Sequence, residues 1–207
     1  MKALVIDYGM GNLGSARRAL EECGAEVLVS ENPDDVAEFD RFVLPGVGAF
    51  GEGMANLTEA GWPLRIREAL QNPRVEMLGI CLGMQLLADR GHEGGVSAGL
   101  GMISGEVKRL EPDAADTRIP HVGWNEVHYT ASDSLFDQIP NDSDFYFVHS
   151  YHFLPAASGN IVATTPYCGG FASAVRAGNV WGVQFHPEKS ARAGLQLLRN
   201  FLAARSC

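Results

Sequence analysis

Short apolar runs alternate with helix-period stretches through the first ninety residues. Ala3–Ile6 is a four-residue apolar run that stops at Asp7 and a Gly-rich turn, Tyr8–Gly14. It reads as a strand. Ser15–Cys23 carries apolar residues at helical spacing and is closed by Gly24, a common helix stop. Ala25–Ser30 reads as a second strand, Pro33–Glu38 as a short helix, and Phe39–Leu44 as a third strand halted by Pro45. A Gly-rich loop over Gly46–Gly53 precedes two helical pieces broken at Gly61-Trp62-Pro63. A further apolar run starts at Val75, enters Gly79-Ile80-Cys81-Leu82-Gly83, and passes at once into a helical pattern. Strand–helix alternation of this kind predicts a parallel sheet with helices on both faces.

The texture changes after Gly91–Gly95. Strand patterns then cover Glu106–Leu110, Asn125–Tyr129, Phe145–Phe153, Ile161–Thr165, Ala172–Val175 and Val180–Gln184, with a hairpin turn at Arg176–Asn179. Ser190 is placed to cap a final helix whose Ala191, Leu195, Leu198 and Leu202 share one face. No linker, repeat or low-complexity tract interrupts the chain. The expectation is a single α/β domain over 1–207: a central, mostly parallel sheet with helices on both faces and an antiparallel extension in the C-terminal half.

Composition narrows the function. A chain of 207 residues buries roughly 70% of its unfolded surface, so it needs no disulfide or metal to fold. The formal net charge is −9, and no basic cluster or helical stripe is present, which argues against nucleic acid as a partner. No apolar run approaches the ~18 residues of a membrane span. The N-terminal run is too short for a signal peptide, so a cytoplasmic location is expected. Cys23, Cys81, Cys168 and Cys207 show no paired spacing, and the six His form no tight cluster. Reduced thiols, no metal site and no cofactor are expected.

Cys81 carries the candidate chemistry. Glycines two residues before and after a nucleophile suit a sharp strand-to-helix turn that holds the central residue in a strained conformation. Such a turn lifts the sulfur above the sheet edge beside a helix N-terminus, which favours thiolate. A thiol nucleophile needs a base, and the base needs an orienting group. Val180-Trp-Gly-Val-Gln-Phe-His186-Pro-Glu188 supplies both at another strand end. Acyl transfer also needs backbone N–H groups aimed at the developing oxyanion. Leu82, directly after the nucleophile, and the Pro45-Gly46-Val47-Gly48 loop are the candidates.

Taken together, Gly79-Ile-Cys-Leu-Gly-Met-Gln85 and His186-Pro-Glu188 resemble the class I, triad-type glutamine amidotransferases. Further stretches resemble one branch, the glutaminase subunits of imidazole glycerol phosphate synthase. These are Asp7–Leu13, Leu44–Phe50, Ile119–Glu126, Tyr146–Tyr151 and Gln184–Ser190, so the resemblance spans essentially the whole chain. It implies that Cys81 attacks the carboxamide of L-glutamine, with His186 as base and Glu188 as its orienter. It also implies that Gly46, Gly48 and Leu82 form the oxyanion hole. Gln85, Ser150 and Tyr151 then hold the substrate. Asn12, Trp124, Asn125 and Lys189, with Gly9 and Gly11, would face a partner. The implied partner is a separate TIM-barrel cyclase subunit, bound as a heterodimer and consuming the ammonia in histidine biosynthesis. The alternatives are an amidotransferase serving another synthase, a peptidase-like cysteine hydrolase of the same fold, and a non-catalytic regulatory subunit.

Overall fold

The computed structural model describes residues 1–113, 118–129 and 133–204; Cys207 lies outside them. The chain opens with β1 (Lys2–Ile6), α1 (Leu13–Glu22), β2 (Glu26–Ser30), a 3-10 turn at Pro33–Glu38, and β3 (Arg41–Gly46). Helices α2 (Phe50–Glu59) and α3 (Trp62–Ala69) lead to β4 (Glu76–Cys81) and the short α4 (Leu82–Leu86). Two small strands follow, β5 (Arg90–Gly91) and β6 (Ser97–Ala98), then β7 (Gly105–Arg109), β8 (His121–Tyr129), β9 (Ser143–His149) and β10 (Tyr151–Pro155). The chain ends with β11 (Ile161–Thr165), β12 (Phe171–Ala177), β13 (Val180–Val183), a 3-10 turn at Pro187–Lys189 and α5 (Ala191–Ala203).

A nine-stranded sheet runs β2-β1-β3-β4-β13-β12-β11-β8-β9. Pairing is parallel from β2 through β13 and antiparallel from β13 to β9. Side chains of the parallel strands alternate between two cores, as strand geometry requires. Ala3, Val5, Val43, Leu78 and Ile80 pack toward α1 and α5. Leu4, Ile6, Phe42, Leu44 and Met77 pack toward α2, α3 and α4. Helices therefore cover both faces of the parallel half, as the alternation predicts. A four-stranded sheet, β10-β7-β5-β6, flanks the larger one.

Several boundaries differ from the sequence expectation. Pro45 does not halt β3, which continues to Gly46 and pairs Pro45 with Ile80 and Gly46 with Cys81. β1 is already exhausted there, its last partner on β3 being Val43, so a missing N–H beside it breaks no ladder. β8 begins at His121 rather than Asn125. The single strand expected over Phe145–Phe153 is two strands: β9 pairs with β8, and β10 crosses to β7 in the other sheet. Ser190 stands at the N-cap of α5 but does not cap it. Its hydroxyl donates to the His186 carbonyl at 2.6 Å and accepts from the Tyr146 N–H at 3.0 Å. The buried face of α5 is Gly194, Leu197, Leu198, Phe201 and Leu202, while Ala191 is exposed and Leu195 half-buried.

Candidate active site

Three strand ends meet at Cys81. The residue sits at φ 56°, ψ −110°, between β4 and α4, a conformation that costs a non-glycine residue of order 1–3 kcal/mol. The glycines beside it are required sterically. A Cβ on Gly79 would lie 2.6 Å from the Gly83 oxygen and 2.8 Å from the Met84 nitrogen. One on Gly83 would overlap the Leu44 carbonyl. Leu82 opens α4, so its N–H has no helical partner and points out at the helix start.

β13 delivers the second component. His186 follows it, 2% exposed, and its Nδ1 lies 2.8 Å from Oε1 of Glu188, itself 4% exposed. The histidine backbone is fixed from two sides, because its N–H donates to the Tyr146 carbonyl at 2.8 Å and its carbonyl accepts from Ser190. Gly194 lets α5 approach this turn, since a Cβ there would collide with the Pro187 carbonyl. Burial lowers the proton affinity of His186, but the neighbouring Cys81 sulfur and the Glu188 carboxylate more than offset it, holding the imidazolium to about 9. His186 Nε2 has no other hydrogen-bond partner. The ring therefore has a carboxylate on one nitrogen, with the Cys81 sulfur as a second negative charge acting on it. The thiol itself is 3.8 Å from the Val148 carbonyl of β9 and accepts from Gln184 Nε2 at 3.7 Å.

β3 forms the third wall. Gly46 is buried beside Cys81, and a Cβ there would reach Leu82 Cβ at 2.8 Å and the Gly83 nitrogen at 3.0 Å. Gly48 is exposed and has φ 113°, a region open to glycine and strained for other residues. The β1–α1 loop packs directly on this wall. Tyr8 Oη occupies the space a Gly46 side chain would need, Met10 Cε that of a Gly48 side chain, and a Cβ on Gly11 would reach Pro45 Cγ at 3.4 Å.

Gln85 lies one helical turn beyond Cys81 and is 5% exposed. Its Nε2 donates to the Tyr151 carbonyl and to Gln184 Oε1, both at 2.9 Å. Ser150 and Tyr151 form the half-buried step between β9 and β10. Sequence reasoning missed Tyr8, His121, His149 and Gln184 as residues of this site. Tyr8 read as part of a Gly-rich turn, His121 fell only in a stretch that resembles the family, and His149 and Gln184 looked like ordinary strand residues.

The residues expected at an interface lie to one side of this centre. Trp124 is 54% exposed and packs edge-on to Tyr146 across the β8–β9 pair. Lys189 Nζ sits 5.7 Å over the Tyr146 ring. Val122 and Val148 are paired neighbours on the same two strands and also exposed. Asn12 caps α1, accepting from the Ser15 N–H, and is exposed with Gly9. Asn125 is half-buried, and its side-chain amide faces His121 Nε2. Among the described residues no His/Cys/Asp/Glu group has metal-site geometry, and no helix is long and apolar enough to cross a membrane.

Comparison with known proteins identifies the family. The family model for class-I glutamine amidotransferases matches residues 4–204. The imidazole glycerol phosphate synthase subunit HisH of Moorella thermoacetica is 48% identical over 95% of this chain and 92% of its own length. The HisH subunit of Caulobacter vibrioides is 44% identical over 97% of both chains. A crystal structure described as a glutamine amidotransferase superposes with TM-score 0.75 at 19% identity, covering 97% of both chains. PurLQS from Thermotoga maritima also reaches 0.75 at 19% identity. At that identity the structural likeness speaks for the fold alone. This chain belongs to the class-I glutamine amidotransferases, and within them to the HisH subunits of imidazole glycerol phosphate synthase.

Proposed function

We propose that Cys81, His186 and Glu188 form the triad by which this glutaminase subunit hydrolyses L-glutamine, and that it delivers the ammonia to a TIM-barrel cyclase. The observation that carries the first part is the strained Cys81 turn beside a buried His186–Glu188 pair 2.8 Å apart. In this reading the Cys81 proton passes to His186 Nε2 and the sulfur attacks the carboxamide carbon. The Leu82 N–H and the Gly46–Gly48 backbone take the oxyanion. His186 returns the proton to the departing ammonia, leaving a glutamyl thioester. A water activated by the same imidazole hydrolyses it to glutamate. Gln85, Ser150 and Tyr151 hold the amino-acid end of the substrate.

The partner reading is supported by the surface. Val122, Trp124 and Val148 are exposed together on β8 and β9, and Val47 is exposed on the oxyanion loop. Apolar side chains left uncovered together on paired strands mark a docking region. Covering it with a second chain also excludes water, in which ammonia would be protonated and lost as a nucleophile. Tyr8 and Met10 of the β1–α1 loop bear on Gly46 and Gly48. A partner that presses on Gly9–Asn12 therefore biases the oxyanion wall between conformations. The cyclase would use the ammonia to form imidazole glycerol phosphate and aminoimidazole carboxamide ribotide.

The test is glutamate release by the purified chain, with and without a cognate barrel cyclase and its nucleotide ligand. Stimulation by the cyclase and ligand is expected. Release that the cyclase leaves unchanged would remove the partner assignment, and release by Cys81→Ala would remove the nucleophile.

A further inference from the structure

A continuous hydrogen-bonded line runs from the β8 surface to the nucleophile. Asn125 Oδ1 accepts from the Glu126 N–H at 2.9 Å, so its Nδ2 faces His121 Nε2, 3.2 Å away. His121 Nδ1 is 3.0 Å from His149 Nε2, and His149 Nδ1 is 2.8 Å from the Tyr151 carbonyl. That same carbonyl accepts from Gln85 Nε2, which also donates to Gln184 Oε1, leaving Gln184 Nε2 against Cys81 Sγ at 3.7 Å.

Donor and acceptor roles along the line are forced. A carbonyl only accepts, so His149 must carry its proton on Nδ1. Its Nε2 is then an acceptor, His121 must donate from Nδ1, and His121 Nε2 must accept from Asn125. The His149 ring is neutral, and burial together with the neighbouring histidines keeps it so, down to about 3. From the other side, the Tyr151 carbonyl orients the Gln85 amide, and Gln85 orients that of Gln184. The amide turned to the sulfur is an N–H, not a carbonyl, because every preceding partner leaves no alternative.

We propose that Gln184 is a further catalytic residue, whose amide N–H donates to the Cys81 sulfur and stabilises the thiolate. His149 and His121 are positioning residues that hold the Tyr151 carbonyl and, through Gln85, the orientation of that amide. The assignment rests on the glutaminase reading of the site. It explains why a fully buried glutamine stands two residues before the base. Hydrogen bonds to a charged group are the strong ones, so the donor contributes most when the sulfur is ionised.

The experiment is the rate of Cys81 alkylation by iodoacetamide near neutral pH, followed by mass spectrometry of the Cys81 peptide, alongside kcat and KM for glutamine. Alkylation needs no glutamine, so it separates this proposal from the glutaminase reading. Gln184→Leu should slow alkylation and kcat about tenfold, equivalent to ~1.4 kcal/mol, with KM little changed. Gln184→Glu should be slower still, because it sets a like charge against the thiolate. His149→Leu should raise KM through Gln85 and slow alkylation, and His149→Asn, which keeps a donor at the Nδ1 position, should recover both. Equal alkylation rates for wild type and Gln184→Leu, a Gln184→Glu rate above that of Gln184→Leu, or no difference between the two His149 variants would overturn it.

Discussion

Gly79→Ala perturbs the nucleophile turn without touching a functional group. The added Cβ would meet the Gly83 oxygen at 2.6 Å, the Gly83 carbonyl carbon at 2.7 Å and the Met84 nitrogen at 2.8 Å, where ordinary contact begins at 3.4 Å. All three obstacles are backbone atoms of α4, so no side chain can swing aside, and the start of the helix must retreat by about 0.8 Å (3.4 minus 2.6). Forcing such a shift in a packed core costs about 1–3 kcal/mol. For a domain of this size each kcal/mol lowers the melting temperature by about 2–4 °C, and backbone obstacles put this case near the upper end. The retreat also carries the Leu82 N–H away from Gly46, and ~1 Å of misplacement at a reacting centre costs about 100-fold in rate. The assay is a thermal melt together with glutamate release, with Gly14→Ala as the control, because nothing lies within 4 Å of a Cβ at Gly14. The control should be neutral or up to ~1 kcal/mol stabilising, as glycine is a poor helix residue. A Gly79→Ala protein with unchanged melting temperature and kcat within twofold of wild type would refute the steric account of the turn.

Other consequences are equally direct. Glu188→Gln should lower kcat by at least ~100-fold while the protein stays folded, because the base loses its orienter and the charge that stabilises the imidazolium; glutamate release and circular dichroism check this. The folded His186 is raised from 6.5 to about 9, so its interactions contribute fully below pH 6.5 and are lost as pH rises through 9. The stability advantage of wild type over Glu188→Gln, measured by urea unfolding, should therefore shrink between those values; an advantage that grew with pH would contradict the sign. Arg41→Ala should cost about 3 kcal/mol. Its guanidinium pairs with the fully buried Glu76 at 3.2 Å and holds the carbonyls of Leu202 and Ala204 at the end of α5. Denaturant titration checks the loss, and Arg41→Met with Glu76→Leu should recover most of it. Tyr8→Phe removes a buried hydroxyl that has no partner, so thermal melting should show unchanged or higher stability.

Much of this arrangement is legible in residue order, because it depends on local rules. Gly79 and Gly83 announce the turn at Cys81 through steric need, and His186-Pro187-Glu188 announces a base with its orienter through spacing. The alternation of strand and helix up to Leu86 predicts two cores on one sheet, and Val5 and Leu4 take opposite sides as expected. What was illegible depends on tertiary pairing. Phe145, Phe147, His149, Tyr151 and Phe153 keep one period through the break at Ser150, with no glycine or proline to mark it. The break exists because β9 finds β8 while β10 finds β7. His149 and Gln184 read as strand residues until the fold brings three strands together, and His121 falls before the strand expected from Asn125. Ser190 fits a cap by position, yet the carbonyl of His186 and the N–H of Tyr146 claim its hydroxyl.

The central claim is that Cys81 is the nucleophile that carries the glutamyl group. Mixing the protein, with its cyclase partner and ligand, with glutamine and quenching in acid traps the thioester for mass spectrometry. The account predicts a glutamyl adduct on the peptide containing Cys81, abolished in Cys81→Ser and accumulating to a higher level when His186 is replaced in a way that slows hydrolysis more than acylation. Glutamine turnover with no adduct at Cys81, or an adduct on Cys23 or Cys168 in its place, would contradict it.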